Sequence, residues 1–237
     1  MSLVLAAALV HAGTLEDMEL RSNVETYVRG TAQTANLHLK IEVENGVAIP
    51  EGPVRDLNQA DAVVDLASKV TGITGVDRSR LRLEFAGPGD DAIAARIVRT
   101  LSDLPGYASP STKIDVKDGV VTLAGSIKYA TRRAELRKLC GAVEGVIEVV
   151  DHLDTPETAD DRVQKALDAV FGPRVVPRFP GHVKAQVKDG AVVLVGRVPR
   201  LYDKLTAERR AWGINGVRLV DNRLELGWAT AIQVIRP

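Results

Sequence analysis

Apolar residues along this chain alternate between two spacings, one suited to strands and one to helices. Residues 113–125 read KIDVKDGVVTLAG, and residues 184–196 read KAQVKDGAVVLVG. In the first, Ile114, Val116, Val120 and Leu123 mark two strand-like stretches around Asp118-Gly119. Asp-Gly and Asn-Gly supply the positive backbone angles of a two-residue hairpin turn. Val116-Lys117-Asp118-Gly119 and Val187-Lys188-Asp189-Gly190 lie 71 residues apart, as do Gly125 and Gly196, and Gly145-Val146 and Gly216-Val217. Between the second glycine and the Gly-Val pair the spacing becomes helical. Leu136, Cys140 and Val143 fall on one face in the first segment, and Ala207, Ala211 and Ile214 in the second. The glycine then ends the helix, and a further strand follows over Val146–Val150 and Val217–Leu226. Each hairpin is preceded by another helical stretch. Asp90-Asp91 opens one, with Ile93, Ile97, Leu101 and Leu104 on a face; Asp160-Asp161 opens the other, with Val163, Leu167 and Val170. Acidic residues in a first turn suit the helix dipole.

A weaker copy lies upstream. Val43-Glu44-Asn45-Gly46 supplies the hairpin, Gly52 the strand glycine, and Leu20, Val24, Tyr27 and Val28 the leading helix. Taking Gly75-Val76 as the terminal pair makes Leu66, Val70 and Ile73 the helix face, followed by a strand over Leu81–Phe85. That alignment implies a three-residue insertion near Glu51-Gly52-Pro53. Pro50 and Pro53 fall where strand residues are expected, which argues against a regular second strand in this copy. The predicted class is α+β: three tandem α-β-β-α-β units, each a small three-stranded sheet with two helices. The boundaries are residues 14–89, 90–157 and 158–228, between an apolar leader over 1–13 and a tail over 229–237.

This order of elements resembles the BON domain family (bacterial OsmY and nodulation), on the Asp-Gly hairpin, the glycine six residues later and the terminal Gly-Val. The likeness is specific in copies two and three, and copy one is degenerate. The resemblance implies a non-enzymatic, periplasmic or envelope-associated protein, linked to osmotic or envelope stress and contacting phospholipid or other envelope components. It carries no catalytic motif; Gly46, Gly119, Gly125, Gly145, Gly190, Gly196 and Gly216 carry over as fold determinants.

Composition narrows the classes. The chain has 237 residues, 31 basic against 31 acidic, one cysteine and 4% aromatic residues. A balanced charge disfavours a general nucleic-acid binder, and one cysteine excludes an internal disulfide and a cysteine-rich zinc site. His11, His38, His152 and His182 have no metal-pair spacing, so neither metal nor cofactor is expected. Gly87-Pro88-Gly89 before a helix imitates a dinucleotide turn, but Asp90 and Asp91 stand where the phosphate would sit. Gly72-Ile73-Thr74-Gly75 and Gly213-Ile214-Asn215-Gly216 imitate a nucleic-acid clamp, yet neutral residues joining a helix to a strand read as helix termination. Cys140 on a buried helix face is a small hydrophobe.

Charge is unevenly placed. Residues 1–90 hold 8 basic and 13 acidic residues, whereas 182–226 hold 9 and 5. Lys128, Arg132, Arg133, Arg137 and Lys138 cluster about the second helix of copy two, and Arg200, Lys204, Arg209 and Arg210 about that of copy three. Arg133 and Arg137 share a helix face away from Leu136 and Cys140. Lys128, Arg132, Arg133, Arg137, Lys138, Lys204, Arg209 and Arg210 are therefore the candidates for meeting an anionic surface. The alternative is a protein-interaction or self-assembly module, its acidic first copy meeting the basic third copy of a neighbour in a homo-oligomer. Leu3–Val10 has the length of a signal-peptide core, too short for a bilayer, though no Lys or Arg precedes it. Export follows if it is a signal, and a cytoplasmic protein if it is not.

Overall fold

The structure is a computed structural model that describes residues 15–83, 88–102, 112–155, 158–172 and 182–227. Unit 1 comprises α1 (Leu15–Arg29), β1 (Lys40–Glu44), β2 (Val47–Val54), α2 (Leu57–Ser68), β3 (Gly75–Val76) and β4 (Leu81–Leu83). Unit 2 comprises α3 (Asp90–Ser102), β5 (Thr112–Lys117), β6 (Val120–Ser126), α4 (Arg132–Gly141) and β7 (Glu148–Asp154). Unit 3 comprises α5 (Asp160–Phe171), β8 (His182–Lys188), β9 (Ala191–Val198), α6 (Leu201–Trp212) and β10 (Leu219–Leu226). The α+β class and the repeated unit are as expected. In each sheet the hairpin pairs antiparallel and the last strand joins the central one in parallel. The long turn and helix between those two strands are what a parallel pairing requires.

The hairpins form where Asn-Gly and Asp-Gly place them. Asn45, Asp118 and Asp189 have φ near +50°, and the glycines after them near +75°. Glycine is needed at the second position for a further reason: a Cβ on Gly119 would sit 2.6 Å from the Gly145 carbonyl oxygen, and one on Gly190 2.7 Å from that of Gly216. The strand glycines Gly52, Gly125 and Gly196 also have positive φ, and a Cβ on Gly196 would lie 1.9 Å from the His182 oxygen.

Each turn is fastened by an acid of the leading helix, a role the sequence pattern did not reveal. Asp17 accepts from the backbone N–H groups of Asn45 (3.2 Å) and Gly46 (3.0 Å). Asp90 accepts from Asp118 (2.8 Å) and Gly119 (3.0 Å), and Asp160 from Asp189 (2.6 Å) and Gly190 (3.0 Å). A charged acceptor strengthens such bonds, so the leading helix fixes the hairpin by chemistry as well as by its apolar face.

Unit 1 corrects three expectations. The approach of Gly46 is to the carbonyl of Gly72, so Gly72 is the counterpart of Gly145 and Gly216. Gly72 follows Gly52 by 20 residues, as in the other copies, and the hairpin carries no three-residue insertion. The positions equivalent to the helix faces of the other copies are then Val63, Ala67 and Val70, all buried, and the expected Leu66, Val70 and Ile73 are buried in the same core. The extra residue lies in the last strand instead. Ala48 pairs with Val76, but Gly52 pairs with Leu81, one residue beyond straight register. The strand is split there into β3 and β4 around a local bulge. This is also why β2 tolerates both prolines. Ladder alternation from the Glu44–Val47 closing pair turns the Pro50 nitrogen toward the gap between β3 and β4, and the Pro53 nitrogen toward the side where β1 has ended. Neither proline removes a bond that a partner strand would make. Of the α1 face, Leu20, Val24 and Val28 are buried, but Tyr27 is 46% exposed.

Each unit has its own apolar cluster, centred on Val24 and Val63, on Leu123 and Leu136, and on Leu167 and Leu194. Leu57, the first residue of α2, belongs to the cluster of unit 2, and Leu201, the first of α6, packs on that of unit 1. The three sheets do not join; the units meet through their second helices. The leader, the tail, Leu104 and Glu84–Phe85 lie outside the described residues.

Candidate functional site

The place where the units meet is built around α2. Asp56 caps this helix, its carboxylate accepting from the Gln59 N–H at 2.8 Å. Asn58 donates to the Lys138 carbonyl at the end of α4 (2.9 Å), and the two helices approach so closely that a Cβ on Gly141 would meet the Asn58 side chain at 2.9 Å. One turn further, Asp61 accepts from Arg137 of unit 2 (3.0 Å) and from Arg78 of its own unit (2.9 Å). Another turn on, Asp65 pairs with Arg209 of unit 3 at 2.8 Å. Lys69 at the end of α2 lies over the Tyr202 ring of α6, 4.9 Å from its centre. The acidic helix of the acidic unit thus faces both basic helices.

Units 2 and 3 meet through Arg133 and Asn215. The guanidinium of Arg133 donates to both oxygens of Asp151 (3.1 Å) and to the Leu153 carbonyl, and lies over the Trp212 ring. Its side chain is only 11% exposed, and among the described residues Nε has no acceptor. Asn215 accepts from the Ala130 N–H at 2.7 Å, and Thr155 accepts from the Gly216 N–H at 3.0 Å. An open cleft of about 590 Å³ runs along this seam, lined by Arg133, Asp151, Asp154, Trp212 and Arg218 among others. A second, of about 520 Å³, lies between Arg55, Asp56, Arg96 and Glu144. Both are charged, and the first also holds His152 and Thr155. Asp203, buried at the start of α6, is held by Arg200 through two bonds of 3.0 and 3.2 Å, which raise the Arg200 pKa above its ordinary value.

The eight predicted cations do not form one patch. Arg137 and Arg209 hold carboxylates of unit 1 and so tie the units together, whereas Arg133 holds Asp151 of its own unit and reaches unit 3 only by lying over the Trp212 ring. Lys138 is exposed at the end of α4, Lys128 lies over the Tyr129 ring, and Lys204 is half-buried on α6. Arg132 is half-buried and Arg210 exposed, and both have interactions of their own. Cys140 is buried in the unit 2 core, and burial pushes its thiol up to about 11. Among the described residues no group of His, Cys, Asp or Glu could hold a metal ion, and no helix is long and apolar enough to cross a membrane.

The sequence reading missed a second set of cations. Lys113 and Lys117 on β5, and Lys184 and Lys188 on β8, are exposed and point to the sheet face opposite the helices. No ion pair engages them among the described residues. In unit 3 the lysines flank Ala191, Val193 and Val195 of β9, with exposed Leu219 on the far strand. The signal was present: the repeats KIDVKDG and KAQVKDG carry both lysines at the 71-residue offset. In unit 1 the same places hold Lys40, engaged by Glu42 at 2.6 Å, and Glu44.

A family model, "BON domain", matches residues 16–84, 89–157 and 158–227. The chain is 28% identical over 151 residues to the osmotically-inducible protein Y of Escherichia coli (strain K12), a match covering 57% of this chain and 72% of that protein. Among solved structures, the C-terminal domain of CdsD, a structural protein of the Type III secretion system of Chlamydia trachomatis, is 18% identical, with 88% of this chain and 98% of that one covered and a TM-score of 0.24. A second structure of CdsD gives the same identity and TM-score.

Proposed function

The chain belongs to the BON domain family, and from that premise we propose that it is a non-catalytic, envelope-associated binding protein of the osmotic or envelope stress response. It acts by meeting an anionic phospholipid surface with several units at once. The observation that carries this reading is the outward set Lys113, Lys117, Lys184 and Lys188. These are exposed cations on sheet faces that no helix covers, flanking Asp115 in unit 2 and flanking Gln186 beside small apolar residues in unit 3. A cation near an anionic membrane contributes about 1 kcal/mol, and several units on one chain add their contacts at high effective concentration. Arg133, Arg137 and Arg209, engaged within the protein, do not belong to the set in this arrangement. Lysines on an edge strand also keep that edge from pairing with another chain, which suits a protein that binds surfaces without aggregating. The similarity to the osmotically-inducible protein Y supports the stress association.

The test is flotation of the chain with vesicles of phosphatidylcholine alone or mixed with phosphatidylglycerol, at low and high salt. Binding to the anionic vesicles only, lost at high salt, is expected because exposed charges are screened over about 8 Å at physiological ionic strength. Absence of flotation in every condition overturns the reading and turns attention to protein partners at the free strand edges.

A further inference from the structure

We propose that α2 is a built-in anionic ligand: Asp61 and Asp65 occupy Arg137 and Arg209 in the closed arrangement and so hold the basic faces of α4 and α6 away from an external anionic surface. This rests on the reading above for what the released arginines would meet, but the contact itself stands on geometry. The two carboxylates are four residues apart on one helix and reach different units, at 3.0 Å to unit 2 and 2.8 Å to unit 3. A negative face of one unit thus serves two positive faces of the others. Both pairs are half-exposed, with side chains between 37% and 49% accessible. They are therefore open to screening and to displacement by a competing polyanion, unlike a buried pair.

The remaining contacts, Lys69 over the Tyr202 ring among them, act as a pivot. Leu57 in the core of unit 2 and Leu201 against that of unit 1 are apolar and not screened. The Asn58 bond to the Lys138 carbonyl is neutral. Rising ionic strength therefore loosens the arrangement without separating the units. An exposed ion pair contributes a factor of about two to five, so loss of both shifts the closed-to-open ratio about fivefold or more. The opened form presents Arg137 and Arg209 alongside Lys138, increasing the charge offered to an anionic surface.

The experiment uses the full chain with Ser22→Cys and Gln186→Cys, exposed positions on units 1 and 3, carrying a donor and an acceptor dye. Cys140 stays unlabelled because it is buried with a raised thiol pKa. Energy transfer is read between about 50 and 500 mM salt, a range over which screening lengths fall severalfold. Transfer in the parent is expected to fall with salt. In Asp61→Asn/Asp65→Asn it is expected to be low at all salt concentrations, with no further response, and Arg137→Gln/Arg209→Gln should reproduce that state from the other side. The same Asn variant is floated with phosphatidylglycerol vesicles, and its affinity should rise, by no more than the shift in the closed-to-open ratio because the closed form also binds. Transfer in the Asn variant equal to that of the parent, or an undiminished salt response in it, overturns the proposal. Transfer that opens as stated while neither protein floats supports the internal contact and overturns the surface-binding reading.

Discussion

Replacing Asp17 by alanine tests the fastening of hairpin to helix at the copy where it is most enclosed. Asp17 is 6% exposed, and its carboxylate accepts from Asn45 and Gly46 at 3.2 and 3.0 Å. Alanine removes both charge-assisted bonds and leaves the two N–H groups beside the vacated space. A hydrogen bond to a charged group contributes about 1.5–3 kcal/mol, and part of the loss is recovered by water reaching the turn. The two losses together give a destabilisation of unit 1 of about 3 kcal/mol. Asp90→Ala and Asp160→Ala, at half-buried positions, should cost about 1–2 kcal/mol because water replaces the carboxylate more fully. Asp17→Asn keeps one acceptor oxygen and should fall between. The assay is native-state hydrogen exchange of the Asn45 and Gly46 amides, with urea unfolding followed by circular dichroism. If Asp17→Ala stays within about 0.5 kcal/mol of the parent, as an ordinary surface substitution would, or if the Gly46 amide keeps its protection, the reasoning fails.

Gly196→Ala places a methyl group 1.9 Å from the His182 oxygen at φ 132°, so unit 3 should lose about 3 kcal/mol or more in urea denaturation. Pro50→Ala should cost only about 1 kcal/mol, chiefly through the unfolded chain, because no partner strand faces its nitrogen. Leu123→Pro, at the corresponding place beside the unbroken β7, should cost more than about 3 kcal/mol and melt unit 2 first. The Cys140 thiol, pushed up to about 11 by burial, stays protonated at pH 8 and should react with a thiol reagent only after denaturation; rapid labelling of the native chain would contradict its placement.

The hairpins were legible in the sequence because Asn-Gly and Asp-Gly specify a local backbone conformation that needs no tertiary partner. The helix faces of units 2 and 3 were legible because the 3.6-residue spacing survives small residues such as Cys140 and Ala207. Unit 1 was misaligned because two glycines three residues apart, Gly72 and Gly75, both look like helix ends. The 20-residue step from Gly52 and the approach of Gly46 to the Gly72 carbonyl together distinguish them. The prolines misled for a related reason: a strand tolerates proline wherever its neighbour is missing, and the break between β3 and β4 is a property of the neighbour. The acids of the leading helices act on turns 28–30 residues away, beyond any local pattern. The basic clusters were visible as composition, but composition does not say which acids face them. Asp61 and Asp65 lie in a different unit from Arg137 and Arg209, so only the packed arrangement shows that these arginines are engaged and that the sheet lysines are not.

The most direct test of the account is the affinity of the full chain for phosphatidylglycerol vesicles with Lys113, Lys117, Lys184 and Lys188 changed to glutamine, measured beside the parent at low salt. At about 1 kcal/mol for each cation near the surface, loss of even two contacts lowers affinity about thirtyfold. The account predicts at least that loss, with far-UV circular dichroism unchanged. Affinity equal to that of the parent would show that the outward sheet faces are not what meets the surface, and would contradict the central claim.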